Sequence, residues 1–475
     1  MMDKAGSGVG SGPGSGVGSG LGSGLGFTIG VTGFSVGLHE KLTDSSNSAL
    51  KNGTRRFIPS KYKKCFLNFA MKILLRTLIS GEKEKTVNMK YDFDKVVNRR
   101  GSDSYKWDSD PDPQMLPMWV ADMDFKVAPK IIDDLKKRVE HGVFGYEKVP
   151  QSYYESVCSW FRRRHGWQIA PSSIIYTIGV VPALSAIIKA LVPDGGKVLV
   201  QTPVYNCFFS SIKNNGCEVI SSPLRKVELQ GEFTYEMDYE DFERKCSEAK
   251  LFILCNPHNP AGRVWRGEEL LKIREICRRH SVMVVSDEIH CELVMPGYEY
   301  VPYATIDPQA IICISASKSF NIAGLQIANI VCPDTYIRSK IDRAININEV
   351  CDVNPFGVVA TRAAYDECED WIEELDEYIF ANYKYMKQFQ REFLPAFPIA
   401  HMEGTYLAWM DCSSLGMTSK VLDEGLREKA KLHLNTGTMY GAEGEGFMRW
   451  NLACPRVLLQ EGLNRFKEYI DSVIK

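Results

Sequence analysis

Four short stretches place reactive side chains directly after apolar runs. Lys318 follows Ala310-Ile311-Ile312-Cys313-Ile314 and stands among the hydroxyls of Ser315, Ser317 and Ser319. A lysine amine held at a strand end can condense with a carbonyl cofactor, and hydroxyls beside it can hold a phosphate. Asp287 follows Val282-Met283-Val284-Val285-Ser286. A carboxylate at the end of a buried strand is costly unless paired. A protonated pyridine nitrogen would suit it, as would an arginine or a helix start. Asn259 lies in Cys255-Asn256-Pro257-His258-Asn259-Pro260-Ala261-Gly262, where prolines and a glycine make a tight turn. It offers a neutral donor to a strand-end crevice, or turn chemistry alone. Thr177-Ile178-Gly179-Val180-Val181 opens a helix, whose free N–H groups and positive dipole end form a phosphate cradle. A glycine before a helix is also a common turn. Each stretch alone has a structural explanation, but successive strand ends of an open α/β sheet share one ligand crevice.

The elements that must position these groups are legible as apolar runs alternating with helical periodicity. Strands are expected at 173–177, 197–201, 218–220, 250–255, 282–286, 311–314 and 326–332. Helices are expected from Ala128, with Pro129 in the first turn, then at 152–165, 179–191 and 268–280. This alternation predicts an α/β fold with a mostly parallel seven-stranded sheet, covered on both faces, in a large three-layer domain. Beyond about 335 the pattern becomes long, charged and helical with an antiparallel-looking tail, which predicts a smaller α+β domain. The expected division is an N-terminal extension at 1–88, an arm and part of the small domain at 89–130, a large domain at 131–340, and a small C-terminal domain at 341–475.

The chain has 475 residues, 44% hydrophobic and 24% charged, with a net charge of -2. That is ample apolar material for a core, and it gives no global basic excess for nucleic acid or an anionic membrane. Its 14 cysteines are scattered, without a C-x-x-C pair or metal-ligand spacing, so no metal is expected. They read as reduced thiols, which predicts a cytoplasmic protein. No apolar run is long enough to span a bilayer. From Gly6 to Gly26 every second residue is glycine, which predicts a flexible leader. Arg55, Arg56, Lys61, Lys63, Lys64, Lys72 and Arg76 then lie in an acid-free amphipathic segment that can resemble an organelle transit peptide. An extension outside the catalytic unit is preferred, because the glycine-rich leader lies in front of the basic part.

Taken together, Trp119-Val120-Ala121-Asp122-Met123-Asp124-Phe125, Phe144-Gly145-Tyr146, Asn256-Pro257-His258-Asn259-Pro260, Ser286-Asp287-Glu288-Ile289-His290, Ser315-Ala316-Ser317-Lys318-Ser319-Phe320-Asn321 and Arg449-Trp450-Asn451-Leu452-Ala453-Cys454-Pro455 resemble the fold type I pyridoxal-phosphate enzymes of the aspartate aminotransferase superfamily. Within it the sequence is similar to the MalY/PatB-type cystathionine β-lyases, over about residues 89–475. The resemblance implies that Lys318 carries pyridoxal 5'-phosphate as a Schiff base. It implies Asp287 on the pyridine nitrogen, Asn259 on the ring oxygen and Tyr205 stacked on the ring. Val180, Val181, Ser315 and Ser317 would hold the phosphate, with Tyr146 reaching the phosphate of a neighbouring subunit in a homodimer with shared active sites. Arg449 would clamp the carboxylate of a small amino-acid substrate, beside Asn259 and Ala121. Where aminotransferases place a tyrosine after the aspartate, this chain has His290 near the cofactor, which favours the lyases. The implied activity is β-elimination of cystathionine or a related cysteine S-conjugate to a thiol, pyruvate and ammonia. An aminotransferase is the alternative reading, and a regulatory protein that keeps the fold is a second one.

Overall fold

The computed structural model describes residues 89–347 and 352–474. The expected glycine-rich leader and basic segment lie outside the described residues. The arm is irregular apart from β1 (Leu116–Pro117). The large sheet is built from β2 (Ile174–Thr177), β3 (Lys197–Val200), β4 (Glu218–Ser221), β7 (Leu251–Cys255), β8 (Met283–Asp287), β9 (Ile311–Ile314) and β10 (Ala328–Val331). Between β4 and β7 lies a hairpin of β5 (Arg225–Leu229) and β6 (Glu232–Glu236).

The seven strands are ordered β2-β10-β9-β8-β7-β3-β4. The ladders β3–β4, β3–β7, β7–β8 and β8–β9 are parallel, and β10 runs antiparallel to both its neighbours. Strands β7 and β9 are buried along their whole length and β8 from Val284 to Asp287, as near-continuous apolar runs require when helices cover both faces. The register sets Cys255 opposite Asp287 and Asp287 opposite Cys313, so the site-bearing ends of β7, β8 and β9 finish level.

Helix Val180–Leu191 buries Val180, Ala183, Leu184, Ala186, Ile187 and Ile188. That spacing is one apolar stripe at helical period, and it packs in the same core cluster as β3, β7 and β10 residues such as Val198, Ile253 and Ile330. Pro129 begins helix Pro129–His141 as expected, where its missing N–H costs nothing. Gly142 and Gly166 end that helix and helix Gln151–His165 in the left-handed conformation, with φ of 73° and 62°.

Past β10 the chain is helical at Thr335–Asn346, Pro355–Glu367 and the 25-residue Glu369–Phe393. A three-stranded antiparallel sheet follows, ordered β11 (Leu407–Asp411), β14 (Phe447–Asn451) and β13 (Asn435–Thr436). The arm joins this part of the chain, since β1 pairs in parallel with β12 (Leu432–His433). No helix among the described residues is long and apolar enough to cross a membrane.

Candidate active site

Asn259 follows β7, Asp287 ends β8 and Lys318 follows β9, and contacts from Lys318 to Ala121 and from Arg449 to Asn259 and Trp119 bring the arm and β14 onto this strand-end crevice. Lys318 lies just past β9, and its Nζ donates to the Ala121 carbonyl at 2.6 Å. Burial lowers the amine to about 8; Asp122 and Asp287 pull it up, and Arg449 pushes it down. The free-base form of the amine is therefore accessible near neutral pH, as a nucleophile requires.

Asp287 ends β8 and is buried. Among the described residues its one side-chain hydrogen bond comes from the Ile289 amide at 3.1 Å. Burial pushes its carboxyl up to about 7; the charge of Glu288 adds to this and Lys318 opposes it. A buried carboxyl so poorly partnered is built to receive a cationic N–H. A protonated pyridine nitrogen fits that requirement.

Arg449 lies on β14, 3% exposed. Its Nη1 donates to Asn259 Oδ1 at 3.1 Å and its Nη2 to the Trp119 carbonyl at 2.9 Å, while Nε is buried without a partner. Its Cζ lies 4.9 Å from the centre of the Tyr440 ring. No carboxylate among the described residues pairs with it, so a buried guanidinium stands ready for an anion brought from outside. The Arg449 contact also orients Asn259, leaving the amide nitrogen of Asn259 as its donor end.

His290 is buried, with Nδ1 unpartnered and its ring edge-on to Tyr406 at 6.0 Å. Burial drives its pKa down to about 3, helped by Lys318 and Arg449, so the imidazole is neutral. Tyr205 caps helix Asn206–Asn214 next to this crevice, and its hydroxyl feels both Asp287 and Arg449. Its loop is tied to the Asn259 turn by His258, whose Nε2 meets the Pro203 carbonyl at 2.9 Å. Val180 and Val181 open their helix after Gly179, with first-turn amides free of intrahelical partners. Ser317 is buried on the Lys318 turn.

Two expected site residues are placed differently from the rest. Ser315 donates its hydroxyl proton to the Ile327 carbonyl at 2.6 Å and accepts from the Ser317 amide at 3.0 Å. It closes the Lys318 turn and has no proton left for a phosphate while that bond holds. Tyr146 is 96% exposed, so within one chain it does not enter the crevice.

The structure also brings in residues the motifs did not single out. Tyr406 donates to the Ala121 carbonyl at 2.9 Å, the same oxygen that Lys318 uses. Asn451 donates to the flanking Val120 and Asp122 carbonyls, both at 2.6 Å. Asn321 holds the Met123 and Phe125 carbonyls at 3.1 and 3.0 Å. Asn435 holds the Trp119 carbonyl at 2.8 Å. Beneath them, Arg99 bridges Asp122 at 2.5 Å and Asp124 at 2.8 Å, and Lys106 joins Asp124 at 2.7 Å. The 119–125 strip is thus clamped by its carbonyls and carboxylates. Asn321 and Asn451 lie within the 315–321 and 449–455 stretches without a pattern of their own, and Tyr406 carries no local signal.

The described residues contain no cluster of three or more metal-ligating side chains. They do offer what an aldehyde-bearing phosphopyridine needs: an amine, a buried carboxyl short of a cation, a neutral amide donor, an aromatic ring and a helix start.

A family model described as aminotransferase class I and II matches residues 114–466. The chain is 41% identical to cystathionine beta-lyase PatB of Bacillus subtilis, over 79% of this chain and 98% of that protein. It is 32% identical to protein MalY of Escherichia coli, over 78% of this chain and 97% of that protein. Among solved structures, cystalysin from Treponema denticola, which contains pyridoxal 5'-phosphate, superposes with a TM-score of 0.78 at 35% identity, covering 82% of this chain and 100% of that one.

Proposed function

The chain belongs to the class I and II aminotransferase family, and from that premise we propose that it is a pyridoxal-phosphate-dependent carbon–sulfur β-lyase. It takes L-cystathionine or a related cysteine S-conjugate and releases a thiol, pyruvate and ammonia. When bound, the cofactor supplies an electron sink for charge that develops at the amino-acid Cα. The residues of the chain do the rest.

Lys318 holds the cofactor aldehyde. As a free base beside the substrate Cα, its amine would take the proton there. The Ala121 carbonyl, 2.6 Å from its Nζ in this structure, gives the freed amine a fixed acceptor. Asp287 would keep the ring nitrogen protonated, Asn259 would donate to the ring oxygen, and Tyr205 would cover the ring face. Val180, Val181 and Ser317 hold the phosphate. Arg449 fixes the substrate carboxylate, which fixes the direction in which the Cα–H bond points. Neutral His290 stands beside Lys318 without adding a charge that would compete with the amine.

A homodimer with shared active sites is part of the proposal. The exposed Tyr146, with Phe144 at 55% and Val143 at 62% exposure beside it, forms an apolar segment suited to a second copy. A cytoplasmic location agrees with the free cysteines, which are mostly buried. The further division into large and small domains would let the β11–β14 sheet carry Arg449 toward the β7–β9 ends.

The observation that carries the proposal is the convergence of Lys318, under-partnered Asp287 and uncompensated Arg449 on one crevice. The test is incubation of the holoenzyme with L-cystathionine without any keto acid. Thiol and pyruvate formed in equal amounts support a lyase. Turnover that depends on an added keto acid would instead make it an aminotransferase.

A further inference from the structure

Glu288, next to Asp287, faces away from the crevice and has no place in the reaction described above. It is fully buried. Its Oε1 accepts from Ser286 Oγ at 2.8 Å, from the Tyr303 amide at 2.9 Å and from Asn256 Nδ2 at 3.3 Å. Its Oε2 accepts from the Tyr300 hydroxyl. Four donors aimed at one buried carboxyl stabilise its negative charge and offset part of what burial costs it. Asn256 also ties the network to the turn that carries Asn259, because its amide donates to the Asp287 carbonyl at 2.9 Å.

We propose that Glu288 is a positioning residue that acts through Asp287: its buried charge strengthens the hold of Asp287 on the proton of the cofactor ring nitrogen. The proposal rests on the reading of Asp287 as the partner of that nitrogen. The physical basis is Coulombic. Two carboxyl groups on adjacent residues at a dry strand end raise each other's proton affinity, and nothing between them is mobile enough to screen it. Burial pushes the Glu288 carboxyl itself up to about 7, with its four donors pulling it down.

The other titratable groups that face this site are Tyr300, Cys291, Cys313 and Glu292, with Lys318 on the far side of Asp287. Burial holds Tyr300, Cys291 and Cys313 well above their ordinary values, so they stay neutral. Glu292 is ion-paired to Arg164 at 3.2 Å. His165, paired with Glu292 at 2.8 Å and edge-on to Tyr300 at 4.9 Å, also faces the network, beside Glu288, Asp287 and Lys318.

The contact pattern makes a clean charge deletion available. Three of the four donors converge on Oε1, so Glu288→Gln can keep its amide oxygen there. The amide nitrogen then replaces Oε2 and donates to the Tyr300 hydroxyl, which reverses its role. Tyr300→Phe is the complementary change: it keeps the charge but removes one donor, so Glu288 takes up its proton at higher pH.

The experiment uses wild type, Glu288→Gln, Tyr300→Phe and Asp287→Asn holoenzymes loaded with cofactor isotope-labelled at the ring nitrogen. The nitrogen resonance is followed by NMR from about pH 6 to about pH 9, the range in which burial-shifted carboxyls titrate. In wild type the nitrogen is protonated, and in Asp287→Asn it is not. Glu288→Gln is expected to weaken the proton affinity of the nitrogen about tenfold and to lower kcat with KM unchanged. Wild type should itself approach Glu288→Gln at the acid end, and Tyr300→Phe should do so from a higher pH, a shift that a general loosening of the fold would not produce. A Glu288→Gln resonance that follows wild type throughout overturns the proposal. If that variant fails to fold, a Tyr300→Phe resonance that never departs from wild type overturns it equally. An unprotonated nitrogen in wild type would sink the reading of Asp287 instead, which keeps the two failures distinguishable.

Discussion

Replacing Arg449 with lysine keeps a cation in the crevice and removes the planar fork. In the structure the guanidinium spends one Nη on Asn259 and the other on the Trp119 carbonyl, at 3.1 and 2.9 Å, and keeps Nε unpaired. The substrate carboxylate therefore meets the remaining N–H groups of a buried, otherwise uncompensated charge. A lysine can reach either the carboxylate or the two neutral acceptors, but not all of them. Losing one hydrogen bond to a charged group costs about 1.5–3 kcal/mol, so KM should rise roughly 10- to 150-fold in Arg449→Lys. Arg449→Met removes the charge as well, and truncation of a buried charge contact costs about 2–5 kcal/mol, so its KM should rise further. The assay is steady-state elimination, with kcat and KM resolved separately. A substrate analogue that lacks the carboxylate serves as the control, since its binding should be unaffected by Arg449→Lys. An unchanged KM with a fallen kcat in both variants would refute the reasoning. It would assign Arg449 to holding Asn259 rather than to holding substrate.

Four further outcomes follow from the same geometry. Asp287→Asn keeps the shape of the β8 end but loses the charge, and kcat should fall roughly 100- to 1000-fold with cofactor still bound, measured by elimination rate and cofactor content. Because the Lys318 amine is lowered to about 8, its free-base fraction grows as pH rises through that value, so cofactor uptake by the apoprotein should accelerate with pH and level off above about 9. Asp287 and Glu288 both hold protons more tightly folded than unfolded, each pushed up to about 7 by burial. Their contribution to apoprotein stability is therefore complete at acid pH and falls as pH rises from about 4 to about 7, which denaturant titration would show as a declining midpoint. Arg263, on the Asn259 turn, is buried between Glu403 at 2.8 Å and Glu269 at 2.9 Å. Arg263→Met should cost about 3–5 kcal/mol by leaving both acids unpaired, read as a lower Tm.

Much of the site was legible because it lies on strand ends. Lys318, Asp287 and Asn259 each follow a continuous apolar run, and a run of that kind can only be a buried strand of a covered sheet. The residues that clamp the arm were not legible in the same way. Tyr406 meets Ala121 across 285 positions of sequence, and no local pattern announces such a contact. Ser315 shows the same limit: its place beside a lysine reads as a phosphate ligand, and no local pattern announces that its hydroxyl donates to the Ile327 carbonyl at 2.6 Å. The β5–β6 hairpin has no apolar run to mark it, because its strands carry charges at Arg225, Lys226, Glu228, Glu232 and Glu236. Its turn signal was nonetheless present in Gly231, whose φ is 76°. The direction of β10 was also readable in principle. No crossover helix fits between Ile314 and Ala328, only a 3-residue turn of helix at Ala323–Leu325, so a parallel return was not available. What the sequence could not convey was the uncompensated state of Arg449, which exists only once β14 is seated against the Asn259 turn.

Reductive trapping tests directly whether the Lys318 amine is the point of covalent attachment. Holoenzyme is treated with borohydride, digested, and the pyridoxyl label located by mass spectrometry. The account predicts the label on the peptide that contains Lys318, in wild type and Asp287→Asn alike, and no label in Lys318→Ala. A label on any other lysine of wild type, or trapping that survives in Lys318→Ala, would contradict it.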